Sequence, residues 1–432
     1  LKITIHRGTH EIGGTLIEIK TEHSRLLIDA GYPLFLKGSP IGDDVAKLPE
    51  EKLLELGVLP PIKGLYQWDP PSFDAILISH AHIDHYGLLK YINSDIPVYL
   101  SAGTKKLIDI SQKFKICDSY PINSHIFNMY KLFTISDFLI KPYLMDHSAF
   151  DAAAFEIFAE DKTIIYSGDF RGHGRKAVCL DSFIKQAKKQ AAILLTEGTM
   201  CSRQNEDILT EDELEKSIEN EIKKYNAPTL FQSSGQNIDR LVTFYRAALK
   251  LGKIFVVDIY TANVLYELCQ LGNNLPYPSN KYSNIKVFYP YRLTQKIFNE
   301  IGEEYAKRFS HFYISKEKLE DEQNKIIMMV RPSMLSDLKK CNLQNGIFIY
   351  SMWQGYRDSE YQQKFETYLK NIGFTLKFFH TSGHASISDI KKLITGLGPK
   401  KIIPIHTMTP NAFLDFSDKA ELKEDGKEFE IS

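Results

Sequence analysis

Hydrophobic and polar positions alternate with a period of two at the start of this chain and shift to a helical period further on. LKITIH and LIEIK put apolar residues at every second position, the pattern of strands with one buried face. RLLIDA is apolar almost throughout, which predicts a strand covered on both faces. Glu22-His23-Ser24 makes the turn between the last two, and Gly13-Gly14 marks a tight bend. PEEKLLELG, residues 49 to 57, predicts a short helix stopped at Gly57. FDAILIS, Phe73 to Ser79, is another buried strand, followed by a helix start at YGLLKYIN and a strand at IPVYLS. A helix from about Thr104, strands in FEIFAEDKTIIYSGD and a strand in AAILLTEG continue the alternation, which implies sheet layers faced by helices.

The character changes around Glu206. NEDILTEDELEKSIENEIKKY reads as a charged amphipathic helix, with Thr210 as N-cap and Glu213 at the N3 position of a capping box. A second strand and helix alternation runs through PTLFQSS, NIDRLVTFYRAALKLG, KIFVVD, TANVLYELCQLG and NIKVFYP, with further strands at Ile326 to Val330 and Gly346 to Tyr350. FTLKFFH, SISDIKKLITGLG and KKIIPIH then return the chain to its first domain. The expected division is 1–204, an inserted domain at 205–374, and a closing part at 375–432. At roughly 150 residues per domain, a chain of 432 predicts two or three.

Composition narrows the class without deciding it. Hydrophobic residues at 43% and charged residues at 25% describe an ordinary folded protein. Lys plus Arg (53) balance Asp plus Glu (54), which excludes a generic basic coat for nucleic acid but not a locally charged cleft. The five cysteines are scattered with no CxxC pair, which predicts reduced thiols in a cytoplasmic protein. No run approaches the ~20 apolar residues of a membrane span. LKITIHRG lacks a secretory apolar core, so no membrane association is expected.

The chemistry is concentrated in SHAHIDHYG, residues 79 to 87, which places His80, His82, Asp84 and His85 directly after the FDAILIS strand. Imidazole and carboxylate are the ligands of Zn²⁺ and similar cations, and the carboxyl end of a strand is where open α/β sheets hold their ligands. Other apolar runs bring His147, Asp169 and His406 to comparable positions. Taken singly, His147 or His406 reads equally well as a structural histidine, and Asp169 as an Asx-turn residue. Together the seven exceed one tetrahedral site and fit two cations roughly 3.5–4 Å apart.

DAG at Asp29, HxHxDH at His80 to His85, His147 and GDF at Asp169 resemble the metallo-β-lactamase superfamily. TEGT at Thr196 to Thr199, HTSGHAS at His380 to Ser386 and IPIH at Ile403 to His406 resemble motifs A, B and C of its β-CASP nucleases, and FQSSGQNIDR resembles the entry into their cap. The implied fold is α/β: an αββα sandwich with an inserted α/β β-CASP cap. The resemblance implies that His80, His82 and His147 hold one metal, that Asp84, His85 and His406 hold the other, and that Asp169 bridges them. Asp29 would support a ligand histidine from behind. Glu197 and His384 would pair near the leaving group, with Asp84, Glu197 and His384 as the catalytic set. Ser382 and Gly383 would seat a phosphate with backbone N–H groups, and His380 and Ser386 would add donors. Arg171, His173 and Arg203 are further candidates for lining the cleft.

His406 in motif C points toward the RNA-processing branch, as in ribonuclease J and the cleavage and polyadenylation nucleases, because the DNA-repair branch commonly carries Val there. The resemblance implies a zinc enzyme with two Zn²⁺ per chain, tolerant of Mn²⁺, that cuts single-stranded RNA with a two-metal-activated hydroxide and leaves 5′-phosphates. A DNA-directed or mixed nuclease and a non-catalytic scaffold are the alternatives. The chain ends soon after His406, so the C-terminal dimerisation domain of ribonuclease J is expected to be missing, and a homodimer and the endo- or exonucleolytic mode stay open.

Overall fold

The computed structural model describes residues 1–431 apart from 37, 43 and 204–207. The expected boundary at 204/205 and the change of character at Glu206 therefore fall outside the described residues. Three large sheets are present among those described. The first runs in the order Glu428–Glu430, Lys2–Arg7, Leu16–Lys20, Arg25–Ile28, Ala75–Leu77, Val98–Leu100 and Ser124–Ile126. The second runs Lys401–Ile405, Ile193–Glu197, Lys162–Tyr166, Ala153–Ala159, Phe138–Leu144 and Phe133–Ile135. Each is antiparallel in one half and parallel in the other.

Alternation along the strands explains how the two sheets stack. Ile3, Ile5, Ile17, Ile19, Leu26 and Ile28 of the first meet Phe155, Ile157, Ile164, Ile193 and Ile403 of the second in one buried cluster. The residues between them point outward and are covered by helices. Leu27 and Ile76 join the cluster of Leu107 and Ile108 from helix Ala102–Lys113. Ile165, Leu194 and Ile402 lie under Leu180 and Phe183 of helix Val178–Gln186 and under Leu393 and Leu397 of helix Ile387–Leu397. The result is the expected αββα sandwich.

The third sheet is parallel throughout, ordered Ile285–Phe288, Ile254–Asp258, Ile326–Met329, Thr229–Gln232, Ile347–Tyr350 and Thr375–Phe378. One correction follows. FTLKFFH, expected to return to the first domain, instead extends this third sheet through Ile347↔Thr375 and Tyr350↔Phe378, so the chain crosses back only after Phe378. Its pattern carries no mark of the sheet it joins, because three of its four residues, Thr375, Leu376 and Phe378, are exposed. The strands Ser124–Ile126, Phe133–Ile135, Phe138–Leu144 and Glu428–Glu430 escaped the periodicity reading, and YGLLKYIN forms only a 3₁₀ turn, Gly87–Tyr91.

The third sheet packs its helices Glu211–Lys223, Ile238–Lys250 and Ile259–Cys269 into the same apolar cluster as helix Ala102–Lys113, so cap and sandwich share a core. A buried polar network joins them nearer the sheet ends. Arg171, with no exposed surface, donates to Ser382 O at 3.1 Å, to Asp146 Oδ1 at 3.3 Å, and to Asp239 on the first turn of a cap helix. Arg240, equally buried, donates to Glu211 Oε1 at 3.0 Å and to Ser351 O at 3.0 Å. The Glu211 N–H donates to His173 O at 2.9 Å, and one Glu211 oxygen stands 3.7 Å from Arg171.

Burial alone would raise the Glu211 carboxyl; the Arg240 and Arg171 guanidiniums outweigh it and hold it down at about 2. Its folded form is thus more acidic than the ~4.3 of an unfolded Glu. The stability it contributes is present above ~4.3 and is lost as pH falls through about 2. Glu211→Gln leaves two buried guanidiniums short of a counter-charge, and a destabilisation on the order of 3–5 kcal/mol is expected. Denaturant unfolding across pH should show the gap between wild type and variant narrowing toward pH 2.

Candidate active site

Parallel strand ends assemble the site. Asp29 follows Arg25–Ile28, His80 follows Ala75–Leu77, Asp169 follows Lys162–Tyr166, Glu197 ends Ile193–Glu197, and His406 follows Lys401–Ile405. Register makes these ends level, since Ile28 lies opposite Leu77 and Glu197 opposite Ile405. His82 caps the short helix Ile83–Tyr86, which carries Asp84 and His85. That helix rests on the turn after Asp29, where Thr15 N–H donates to Asp84 O and Ala30 N–H to His85 O. Gly31 permits the approach, because a Cβ there would lie 1.9 Å from Asp84 O. Asp29 (φ 57°) and His406 (φ 50°) hold left-handed backbone in buried positions, strain of the kind that accumulates at functional sites.

Three imidazoles meet at one point. His80 Nε2 and His147 Nε2 each lie 3.1 Å from His82 Nδ1. The far nitrogens are held in place: His80 Nδ1 is 3.0 Å from Ser79 Oγ, and His147 Nδ1 donates to Gly383 O. Burial, together with neighbouring histidines, lowers His80 and His147 well below the usual range, and burial lowers His82 to about 4. At neutral pH all three are uncharged, the state in which imidazole binds a cation.

The second group meets beside it. Asp84 Oδ2 stands 3.2 Å from His406 Nε2 and 3.8 Å from His85 Nε2. Asp169 lies between the groups, with Oδ2 3.2 Å from His85 Nε2 and 3.8 Å from His80 Nε2, and Oδ1 3.8 Å from His406 Nδ1. Asp29 accepts from His85 Nδ1 at 2.7 Å, from Ser79 Oγ at 2.8 Å and from Tyr166 OH, and so orients the ring from behind. His85 Nε2 and Asp169 Oδ2 are buried without a hydrogen-bond partner. Orphaned atoms of this kind, facing one another in a set of nitrogens and oxygens whose members lie within 4.8 Å, fit a pair of divalent cations.

A Glu–His pair borders the cluster. His384 Nδ1 is 3.1 Å from Glu197 Oε2 and 3.5 Å from Asp169 Oδ2, while Glu197 Oε1 accepts from Phe170 N–H at 2.8 Å. The turn before helix Ile387–Leu397 is internally bonded. His384 N–H donates to Ser382 Oγ, Ala385 N–H to Glu197 Oε1 and Ser386 N–H to Asp389 Oδ2. These three N–H groups are therefore engaged within the turn. Ser386 serves as N-cap of that helix. His380 stands apart, 3.5 Å from Arg240 Nη1, and burial with the nearby guanidinium pushes it down to about 3.

Arg171 and His173 were candidates for lining the cleft. Instead they are buried and hold Ser382 O from behind, His173 Nε2 at 2.9 Å. Arg203 lies over the Trp353 ring at 5.3 Å. Sequence reasoning gave no role to Thr199, whose hydroxyl is 2.9 Å from His406 Nδ1 and 3.3 Å from His384 Nδ1, or to Ser79 and Tyr166 behind Asp29. Hydroxyls at strand ends are too common for spacing alone to single them out.

The chain is similar to known proteins. Residues 50–214 match a Beta-lactamase superfamily domain, and 371–431 match a Zn-dependent metallo-hydrolase RNA specificity domain. Over 414 residues the chain is 23% identical to Ribonuclease J of Helicobacter pylori (strain ATCC 700392 / 26695), covering 94% of this chain and 56% of that protein. It is 22% identical to Ribonuclease J of Mycoplasma genitalium over 94% of this chain and 67% of the relative. The chain thus spans a little over half the length of the Helicobacter pylori relative. A crystal structure of a protein of unknown function from Enterococcus faecalis V583 superimposes with a TM-score of 0.79 at 21% identity, covering 99% of both chains, and shows the same fold. The chain belongs to the metallo-β-lactamase superfamily, with a β-CASP region, and is related to the ribonuclease J-type nucleases.

Burial lowers the His384 imidazole, but the Glu197 and Asp169 carboxylates outweigh it and raise it to about 9. NMR titration of the metal-free protein should find His384 protonated at neutral pH. Glu197→Gln should bring its midpoint down by roughly one unit or more. A midpoint that ignores Glu197 would remove that pairing.

Proposed function

We propose that this chain hydrolyses phosphodiester bonds of single-stranded RNA as a zinc-dependent ribonuclease and leaves 5′-phosphate ends. The observation that carries the reading is the convergence of two adjoining groups of imidazoles and carboxylates, most of whose outer nitrogens are already bonded, with the Glu197–His384 pair at their edge. In this reading His80, His82 and His147 hold one cation, Asp84, His85 and His406 hold the other, and Asp169 serves both. Two cations would supply Lewis acidity, making water nucleophilic near neutral pH and drawing charge from the phosphodiester oxygens. Imidazole and carboxylate donors suit zinc, and Mn²⁺ would be tolerated.

The protein's own groups do the rest. Glu197 holds the His384 ring and favours its protonated form, so that His384 can deliver a proton to the departing 3′ oxygen. Ser382 and Gly383, held by Arg171, His173 and His147, present the turn against which the scissile phosphate would sit. RNA is favoured over DNA by His406 in motif C and by the match of residues 371–431 to an RNA specificity domain.

End-labelled single-stranded RNA and DNA, each given to wild type, His384→Ala and His82→Ala, test this. Wild type should cut RNA and leave 5′-phosphates. His384→Ala should keep its metal and lose on the order of 10²–10⁴-fold in rate. His82→Ala should lose metal and activity together. Equal cleavage of DNA would move the assignment to a mixed nuclease, and stoichiometric zinc with neither polymer cut would overturn it.

A further inference from the structure

Beyond the His and Asp cluster, the segment from Trp353 to Asp358, which follows the cap strand Ile347–Tyr350, carries two large aromatic rings. Trp353 is 38% exposed and Tyr356 57%, so both rings offer apolar surface to solvent. The backbone under them is tied down: Tyr350 OH donates to Trp353 O at 3.2 Å, and Arg357 makes a two-pronged pair with Glu366 at 2.9 and 2.7 Å. The rings stand edge to face with centroids 5.3 Å apart. Gly355 lies against the indole, where a Cβ would meet ring atom Cη2 at 2.3 Å.

Two contacts place the segment beside the cluster. Met352, the preceding residue, lines with His82 and Ile83 a cavity of about 580 Å³ between sandwich and cap. Arg203, four residues after Thr199, lies over the Trp353 ring from the sandwich side. In keeping with that placement, burial and the Asp84 carboxylate both raise the Tyr356 phenol. Arg331 lines the same cavity and is paired there with Asp258 at 2.7 Å.

We infer that Trp353 and Tyr356, whose ring planes stand at right angles, form a two-walled stacking platform, one ring face and one ring edge, for the unpaired nucleobase next to the scissile phosphodiester. The inference rests on the ribonuclease reading above. Every base presents a flat π-face, so such a platform accepts any sequence and refuses a paired duplex, whose bases are already stacked. Its rings are held before substrate arrives, so little ordering entropy is spent on binding.

The chain has two tryptophans, Trp68 and Trp353, so Trp68→Phe leaves Trp353 as the sole indole reporter. In a Trp68→Phe, His384→Ala background, which keeps the oligomer intact, fluorescein-labelled oligouridylate should bind by anisotropy, and unlabelled oligouridylate should quench Trp353 emission. An abasic ribose-phosphate oligomer of equal length should bind more weakly and leave the emission unchanged. In the otherwise wild-type chain, Trp353→Ala or Tyr356→Ala should raise KM for single-stranded RNA on the order of tenfold, with Trp353→Phe recovering most of it. Their kcat should stay near wild type. Binding with unchanged Trp353 emission, or equal quenching by the abasic oligomer, would overturn the platform while leaving the nuclease reading intact. Absence of any oligonucleotide binding would overturn both.

Discussion

The buried carboxylate of Asp29 is the point from which the site is built. One oxygen accepts the Ser79 N–H, and the other takes the Ser79 hydroxyl, the His85 ring and the Tyr166 hydroxyl. Ser79 and Asp29 belong to the first sheet and Tyr166 to the second, so this residue joins the two layers where the ligands emerge. A carboxylate with no exposed surface is tolerable only because every partner is a donor. The left-handed backbone at Asp29 is the strain accepted to aim it.

From that base the ligand groups follow as a problem of satisfying buried polar atoms. Most imidazoles in the cluster have one nitrogen engaged behind, by Ser79, Asp29, Gly383 or Thr199, and offer the other inward. Inward atoms such as His85 Nε2 and Asp169 Oδ2 have nothing to bond to within the protein. A cation held among these atoms would couple metal binding to local stability.

The cap is part of this architecture. Arg171 and Arg240 carry charge from the sandwich into the cap through Asp146, Asp239 and Glu211, and the same Arg171 holds the carbonyl of Ser382 two residues before His384. A shift of the cap would therefore reach His384 through a short chain of charge-assisted bonds. Gly383, between them, accepts from His147, so the turn supports both the cluster and the Glu197–His384 pair.

Much of this was legible in one dimension. The HxHxDH run, the buried strands that end at Asp169, Glu197 and His406, and the Thr210–Glu213 capping box all depend on residues close in sequence, and all appear in the structure. Period-two burial likewise fixes which side chains face the sandwich core. What tertiary structure alone decided concerns partners far apart in the chain. Strand Thr375–Phe378 joined the cap sheet, because a short, half-exposed strand carries no mark of its neighbour. His380 turned to Arg240 and Ser386 became a helix cap, while Thr199 came to touch two histidines. Local periodicity specifies the face of a strand and the chemistry at its end, but only packing specifies which ends meet.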